Sequence, residues 1–398
     1  MAHLYRPRRA LAALAATAAL CTAAAPAAVA QDADGLYGTT DPQYDGVWRT
    51  SLAMLAQDTA GVTPAKQAVA WLTGQQCADG GFAAYREDTA KACDAKTEDT
   101  NATALSVQAL AALGGQDAVV GKAVTWLKGV QNKDGGFPYN PGGASDANST
   151  SVVTGALVAA GEKPAEVLKD GKSPFDGLAA LRMPCSAKAG EQGSYAFTPD
   201  KGKLYSNEYA SAAAALAGRG TGLVVPPGAD TPVKAPACAA AASAEDAAEA
   251  ADAFLAGRID ANGGFLKDLS AKAPDPNTTA WATLALAAGG HKGAALKSYA
   301  WLEGNSAAWS KGSPAALGTL VLTAHAVGKD PKSFAGTDLV AALNKTGPAP
   351  SAAAKPQAKA AEKDDDGGSA TVVWVIVGVG LVAGIGGGLL VSMRRKNA

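Results

Sequence analysis

Histidine, charge and aromatic rings are all scarce in this 398-residue chain. It holds three histidines. The two beyond residue 30, His291 and His325, have no cysteine near them in sequence, so no zinc site or other metal is expected. Charged residues make up 18% of the chain against 48% hydrophobic, a balance that excludes disorder for the bulk of it. Aromatics are only 6%. The net charge of −1 hides an asymmetry, because Arg6, Arg8, Arg9, Arg394, Arg395 and Lys396 sit at the two ends. Removing those six from 35 basic residues leaves 29 against 36 acidic in the body. A mildly acidic body argues against nucleic acid or anionic lipid as the main partner.

The two ends read as addresses. Residues 1–30 match a secretory signal peptide: a basic stretch to Arg9, an Ala/Leu run from Ala10 to Ala19, and the small-x-small site Ala28-Val29-Ala30. Residues 370–393 read as a transmembrane helix, with 23 uncharged residues from Thr371 to Met393 where roughly 20 suffice. The basic tail 394–398 then points to the cytoplasm. Residues 347–369, rich in Ala, Pro and Lys, read as a solvated stalk. The expectation is a single-pass cell-membrane protein with its body, residues 31–346, outside.

That body repeats itself. Ala70-Trp71-Leu72 is followed by Gly80-Gly81-Phe82, Thr125-Trp126-Leu127 by Gly135-Gly136-Phe137, and Ala253-Phe254-Leu255 by Gly263-Gly264-Phe265. The aromatic precedes the first glycine by nine residues each time. A looser copy runs from Leu178 to Gly193-Ser194-Tyr195, a degraded one from Trp301 to Gly312, and an incomplete first copy supplies Gly35-Leu36-Tyr37. After each turn a polar loop leads into an Ala-rich helix through Asp99-x-Asn101-x-Thr103, Asp146-x-Asn148-x-Thr150 and Asp275-x-Asn277-x-Thr279, with Asn207-Glu208 in the fourth copy and Asp45 near the first. Asp and Asn ahead of a helical run are N-caps, their side-chain oxygens accepting free backbone N–H groups. Recurrence at one repeat position favours capping over glycosylation for the Asn-x-Thr triplets.

Twelve helices follow, near 47–58, 65–76, 100–113, 119–131, 148–160, 172–182, 206–218, 245–257, 278–288, 293–304, 313–327 and 331–345. The first is the second member of a pair and the last is the first member of one. Ring closure brings them together and leaves no open edge. The fold class expected is all-α, an (α/α)6 barrel of six hairpins with one ring of helices inside another, plus the C-terminal membrane helix. The repeat, over roughly residues 35–345, resembles that of the prenyltransferase and squalene-cyclase superfamily. That resemblance implies an α/α toroid shared by terpene cyclases, protein prenyltransferase β subunits, complement thioester domains and the cobalamin carriers.

The catalytic motifs of those relatives are missing. The nearest match to an Asp-x-Asp-Asp acid is Glu362-Lys363-Asp364-Asp365, in the stalk. Few aromatics remain to stabilise a carbocation. The thioester motif reduces to Ala189-Gly190-Glu191-Gln192, without its nucleophilic sulfur. No catalytic residue and no cofactor is assigned. The four cysteines beyond the signal, Cys77, Cys93, Cys185 and Cys238, suit an exported chain with disulfides. The pairing expected is Cys77–Cys93 across the rim loop and Cys185–Cys238 between the third turn and a Pro/Ala-rich insert.

What remains is the rim. A barrel gathers Asp45, Asp99, Asp146, Glu208 and Asp275 at one mouth, with Asn101, Asn148 and Asn277 beside them and Tyr85 and Tyr139 on neighbouring loops. Convergent polar groups at a concave mouth are a ligand site by default; the competing reading is that they only cap helices. The function expected is a membrane-anchored extracellular module that captures a small molecule, a corrinoid by the carrier resemblance, next to a membrane transporter. The alternatives are an envelope protein-interaction scaffold, or a surface enzyme acting on polysaccharide or resembling a terpene cyclase.

Overall fold

The computed structural model describes residues 35–234, 243–268 and 272–352. The segments read as signal peptide, membrane span and tail, and most of that read as stalk, lie outside the described residues. Among the described residues no helix is long and apolar enough to cross a membrane. Thirteen helices run through them: α1 (Gly46–Thr59), α2 (Lys66–Gly74), α3 (Thr100–Leu113), α4 (Asp117–Val130), α5 (Ala147–Ala159), α6 (Pro174–Ala179), α7 (Glu208–Gly218), α8 (Ala244–Asn262), α9 (Pro276–Ala288), α10 (Lys292–Asn305), α11 (Ala307–Ser310), α12 (Pro314–Ala326) and α13 (Leu339–Asn344). A short antiparallel pair, β1 (Tyr195–Ala196) and β2 (Ser206–Asn207), sets Tyr195 opposite Asn207.

Six helices, α1, α3, α5, α7, α9 and α12, pack each on the next, and α12 packs back on α1. The inner ring is closed. Helices α2, α4, α6, α8, α10 and α13 lie against it from outside. An inner helix touches protein on nearly every side, so its sequence is small and apolar all round rather than striped. In α9, ten residues from Thr278 to Ala287 are buried. The hydroxyls carried into this interior are satisfied at home: Thr154, Thr283 and Thr323 donate to the carbonyls of Thr150, Thr279 and Thr319 at 2.7–2.8 Å.

The glycine turns link the rings. Gly80, Gly135, Gly193 and Gly264 hold φ of 110°, 87°, 83° and 109°. A Cβ on the first three would lie 2.5, 2.2 and 2.4 Å from a backbone oxygen of Lys122, Ser173 and Ala250. Glycine is required there for both backbone angle and room. These equivalences correct the register read from the sequence. Gly264, not Gly263, matches Gly80, and Leu266, not Phe265, takes the place of Phe82. Leu266 is fully buried, while Phe265 packs beside Trp301 with ring centroids 5.1 Å apart. The shift comes from α8, which runs on to Asn262 and adds a left-handed cap at Gly263.

Closure also follows the expected pairing of chain ends. Gly38 N donates to Thr346 O at 2.6 Å, and Gln57 Nε2 to Asn344 Oδ1 at 2.7 Å. Gly347 approaches the Tyr37 ring so closely that a Cβ would sit 2.5 Å from it. Ser351 donates to the carbonyls of Thr63 and Pro64, so residues 347–352, read from the sequence as the start of the stalk, still lie on the toroid. The segment expected as a helix over 331–345 is instead a 3-10 turn, Pro331–Ser333, followed by α13. The expected helix over 172–182 shrinks to α6, and α11 was not foreseen. Cys77 and Cys93 form the expected disulfide, Cα atoms 5.8 Å apart. Cys185 is also disulfide-bonded; Cys238 lies outside the described residues.

Candidate functional site

The Asp-x-Asn-x-Thr motif divides its labour by position. Its first residue caps. Asp99 accepts from Ala102 N at 2.8 Å, Asp146 from Ser149 N at 2.7 Å, and Asp275 from Asn277 N and Thr278 N at 3.1 Å. In the fourth copy the cap is Asn207, accepting from Ala210 N at 2.9 Å, and in the last it is Ser313. Its fifth residue ties the turn to the inner helix. Phe82 N and Phe137 N donate to Thr103 and Thr150 Oγ1 at 2.9 Å, Tyr195 N to Ser211 Oγ at 2.9 Å, and Leu266 N to Thr279 Oγ1 at 3.0 Å. Tyr37 N donates to Thr50 Oγ1 at 3.2 Å. The first copy is thereby registered on Gly46, not Asp45. Asp45 makes no cap bond and instead takes Arg49 Nη1 at 2.6 Å.

The third residue does neither job. In the six copies it is Trp48, Asn101, Asn148, Tyr209, Asn277 and Ala315. All six line one cavity of about 320 Å³. The inner helices therefore run in one direction, with their N-termini around a common mouth. Tyr44, Tyr139, Trp281 and Trp309 complete an aromatic wall. A hydrogen-bonded chain runs along the first turns of three inner helices: Asn101 Nδ2 donates to Asn148 Oδ1 at 3.2 Å, and Asn148 Nδ2 to the Tyr209 hydroxyl at 3.0 Å. Asn101 Oδ1 is buried and accepts nothing among the described residues.

The predicted rim residues fall into three groups. Asp45, Asp99, Asn101, Tyr139, Asn148 and Asn277 line the mouth. Glu208 and Asp275 line an adjoining cavity of about 600 Å³ that shares Tyr209 and Asn277 with it. Glu208 is spoken for, accepting from Arg258 Nε at 2.7 Å and Lys267 N at 2.8 Å. Asp146 and Tyr85 line neither. Asp146 is a buried cap, and Tyr85 stacks near Trp71 in a separate groove on the outer ring. Trp48, Tyr209, Trp281 and Trp309 were missed. The available signal was distance from the cap: Trp48 and Tyr209 stand where the other copies have Asn.

The mouth holds no uncommitted charge. Its two acids are Asp45, paired with Arg49, and Asp99, engaged by the Ala102 N–H and the Tyr139 hydroxyl. Burial raises the Asp99 carboxyl above its ordinary range against those bonds, and burial with the Asp99 charge raises the Tyr139 phenol. Arg49 is 1% exposed and spends its guanidinium on Tyr37 O, Thr40, Asp41 O and Asp45. At the other end of the ring Glu249, Asp252 and His291 bring three possible metal-ligand atoms within 4.8 Å of one another. Arg219 already lies against them, its Nη2 2.7 Å from Glu249 and 2.8 Å from Asp252.

A model of the prenyltransferase alpha-alpha toroid domain matches residues 47–175. A solved structure of a protein from Actinoplanes is 16% identical, with a TM-score of 0.48 over 75% of this chain and 96% of its own. The type II terpene cyclase MstE from Scytonema is 17% identical, with a TM-score of 0.44 over 69% of this chain and 73% of its own. A structure described as a wild-type glycosidase is 15% identical, with a TM-score of 0.43 over 75% and 93%. No curated protein matches. The resemblance read from the repeat is matched over residues 47–175, and the described residues form an α/α toroid.

Proposed function

On a toroid that serves unrelated chemistries, we propose that this protein is a small-molecule binding module with its site at the N-terminal mouth of the inner ring. One observation carries the reading. The motif position that neither caps a helix nor ties the turn is the one that lines the cavity in all six copies. Side chains needed for folding occupy the cap and the turn tie; the residue between them is free to serve a ligand. The apolar segment 371–393 and its basic tail support tethering at the cell membrane, body outside. There a bound ligand is within reach of a membrane importer. No observation supports a corrinoid as that ligand.

The test is native mass spectrometry of the full-length protein after incubation with a small-molecule extract of cells and medium. Wild type acquires a stoichiometric adduct; the Asn101→Ala, Asn148→Ala, Asn277→Ala triple variant, with unchanged helicity, does not. An adduct retained by the variant overturns the site. One contact supports a second reading, as an enzyme. The Tyr139–Asp99 pair sets a phenol against a buried carboxyl on the cavity wall, a geometry suited to proton transfer. Conversion of the captured compound, lost in Tyr139→Phe with binding kept, selects it.

A further inference from the structure

We infer that the mouth takes a saccharide, of about one or two sugar rings. The inference rests on the mouth being the ligand site and names the chemistry it fits. Four features of the mouth select the class. The volume, about 320 Å³, lies at the lower end of the ~300–1,000 Å³ range of small-molecule sites. The wall is aromatic, with three tryptophans, Trp48, Trp281 and Trp309, and three tyrosines, Tyr44, Tyr139 and Tyr209. An aromatic face stacks against the apolar C–H face of a pyranose while the hydroxyls at the sugar's edge look elsewhere.

The amide chain near the opening supplies what those hydroxyls need. It mixes donors and acceptors and ends on a buried Asn101 oxygen with no donor of its own among the described residues. Sugar hydroxyls both donate and accept, so they match such a chain. A hydrocarbon ligand would leave the Asn101 oxygen unpaired, a cost that argues against a terpenoid. Finally, the lining carries no uncommitted charge. Arg49 neutralises Asp45 at 2.6 Å, Asp99 is engaged by Ala102 and Tyr139, and no lysine, arginine or histidine lines the cavity. Aromatic rings attract an organic cation through their quadrupole, but both carboxylates here are already engaged, so the rings alone would hold one. An anion finds no cation at all. A neutral, ring-shaped, polyhydroxylated molecule remains.

Only 6% of the chain is aromatic, a scarcity that by itself weighs against sugar binding. Position matters more than abundance, because six of those rings converge on one opening. Tyr44 and Tyr139, 82% and 47% exposed, stand at its lip.

The experiment is calorimetric titration of the full-length protein with three sets of probes. They are neutral monosaccharides and disaccharides (glucose, galactose, mannose, N-acetylglucosamine, maltose, cellobiose, trehalose), tetramethylammonium, and geranylgeraniol. The expected result is saturable binding of at least one sugar and no binding of the other two. Tyr139→Ala and Asn148→Ala should each weaken it about tenfold or more while the protein still unfolds cooperatively. Tyr139 is half exposed, so at least that variant folds. Binding of tetramethylammonium or geranylgeraniol alone, abolished by Asn148→Ala, overturns the saccharide and leaves the mouth as a site. Sugar binding untouched by both variants, or no binding of any probe at about 10 mM, overturns both.

Discussion

The two ends of the inner ring bury polar groups in opposite ways. At the mouth the buried polar atoms are mostly neutral, linked in a chain with an acceptor left over. At the far end, where α7 and α9 finish, they are charged and crowded together. Arg219 meets Glu245, Glu249 and Asp252 at 2.7–3.5 Å, and His291 meets Glu249 at 3.2 Å and Thr231 O at 3.0 Å. Asp252 is 0% exposed, and burial pushes its carboxyl up to about 7 against the pull of Arg219. Charge is costly to bury and is kept only where partners hold it, so the far end reads as a clamp between α7, α8 and α10. A neutral network with an open valence costs less to keep waiting and suits a ligand.

The comparison is most exposed to Arg219→Met. That change strands Glu249 and Asp252 beside each other without their cation, and about 3–5 kcal/mol of stability should be lost. Denaturant unfolding reads the loss, and ligand affinity of the remaining folded protein should not move. Should the variant unfold like wild type yet bind differently, the two ends have been assigned the wrong way round. On the mouth side the largest structural contribution is covalent. Cys77 and Cys93 close a loop with a sequence separation of 16, worth about 3 kcal/mol. Cys77→Ser with Cys93→Ser should show that loss in oxidising buffer and match wild type when both proteins are reduced. Within the motif itself, Asp146→Ala removes a cap at a cost of about 1 kcal/mol. Asn148→Ala, two residues on, should cost less stability and lose the ligand. Equal effects from the two on both readouts would erase the division of labour between them.

Much of this was legible in advance. The spacing of Trp71, Trp126 and Phe254 from their glycines fixed the repeat, and the odd helix at each end of the series implied closure. Both follow from local rules, since a glycine turn and an Asp cap announce themselves in a few residues. The site was half legible. Asn101, Asn148 and Asn277 stood out because they recur. Trp48 and Tyr209 share their position but not their residue type, so only a three-dimensional register exposes them. Trp281 lies one turn deeper, and Trp309 sits on α11, a single turn between α10 and α12 with no periodicity to betray it. The shift from Phe265 to Leu266 was hidden for the same reason. Two glycines in a row offer two registers, and the choice belongs to the tertiary contact of Gly264 with α10.

The last expected effect depends on pH and concerns a further buried carboxyl on the mouth side. Glu98 lies one residue before the Asp99 cap, 1% exposed, behind the Gly81 turn and against Trp126 and Asp79. Burial first, and the Asp79 carboxylate second, push its carboxyl up to about 7 from an ordinary 4.5. The folded state therefore holds a proton that the unfolded chain has released anywhere between those two values. Linkage then gives the sign: the stability this group contributes is complete below pH 4.5 and is lost as pH rises through about 7. Glu98→Gln keeps the shape and removes the titration. It should match wild type at pH 4 and melt at a higher temperature than wild type at pH 8. A wild-type-minus-variant difference that stays flat across that range would show that Glu98 is not the titrating group. Any ligand affinity that followed the same curve would mean that the Gly81 turn, and not only Asn101 to Tyr209, shapes the mouth.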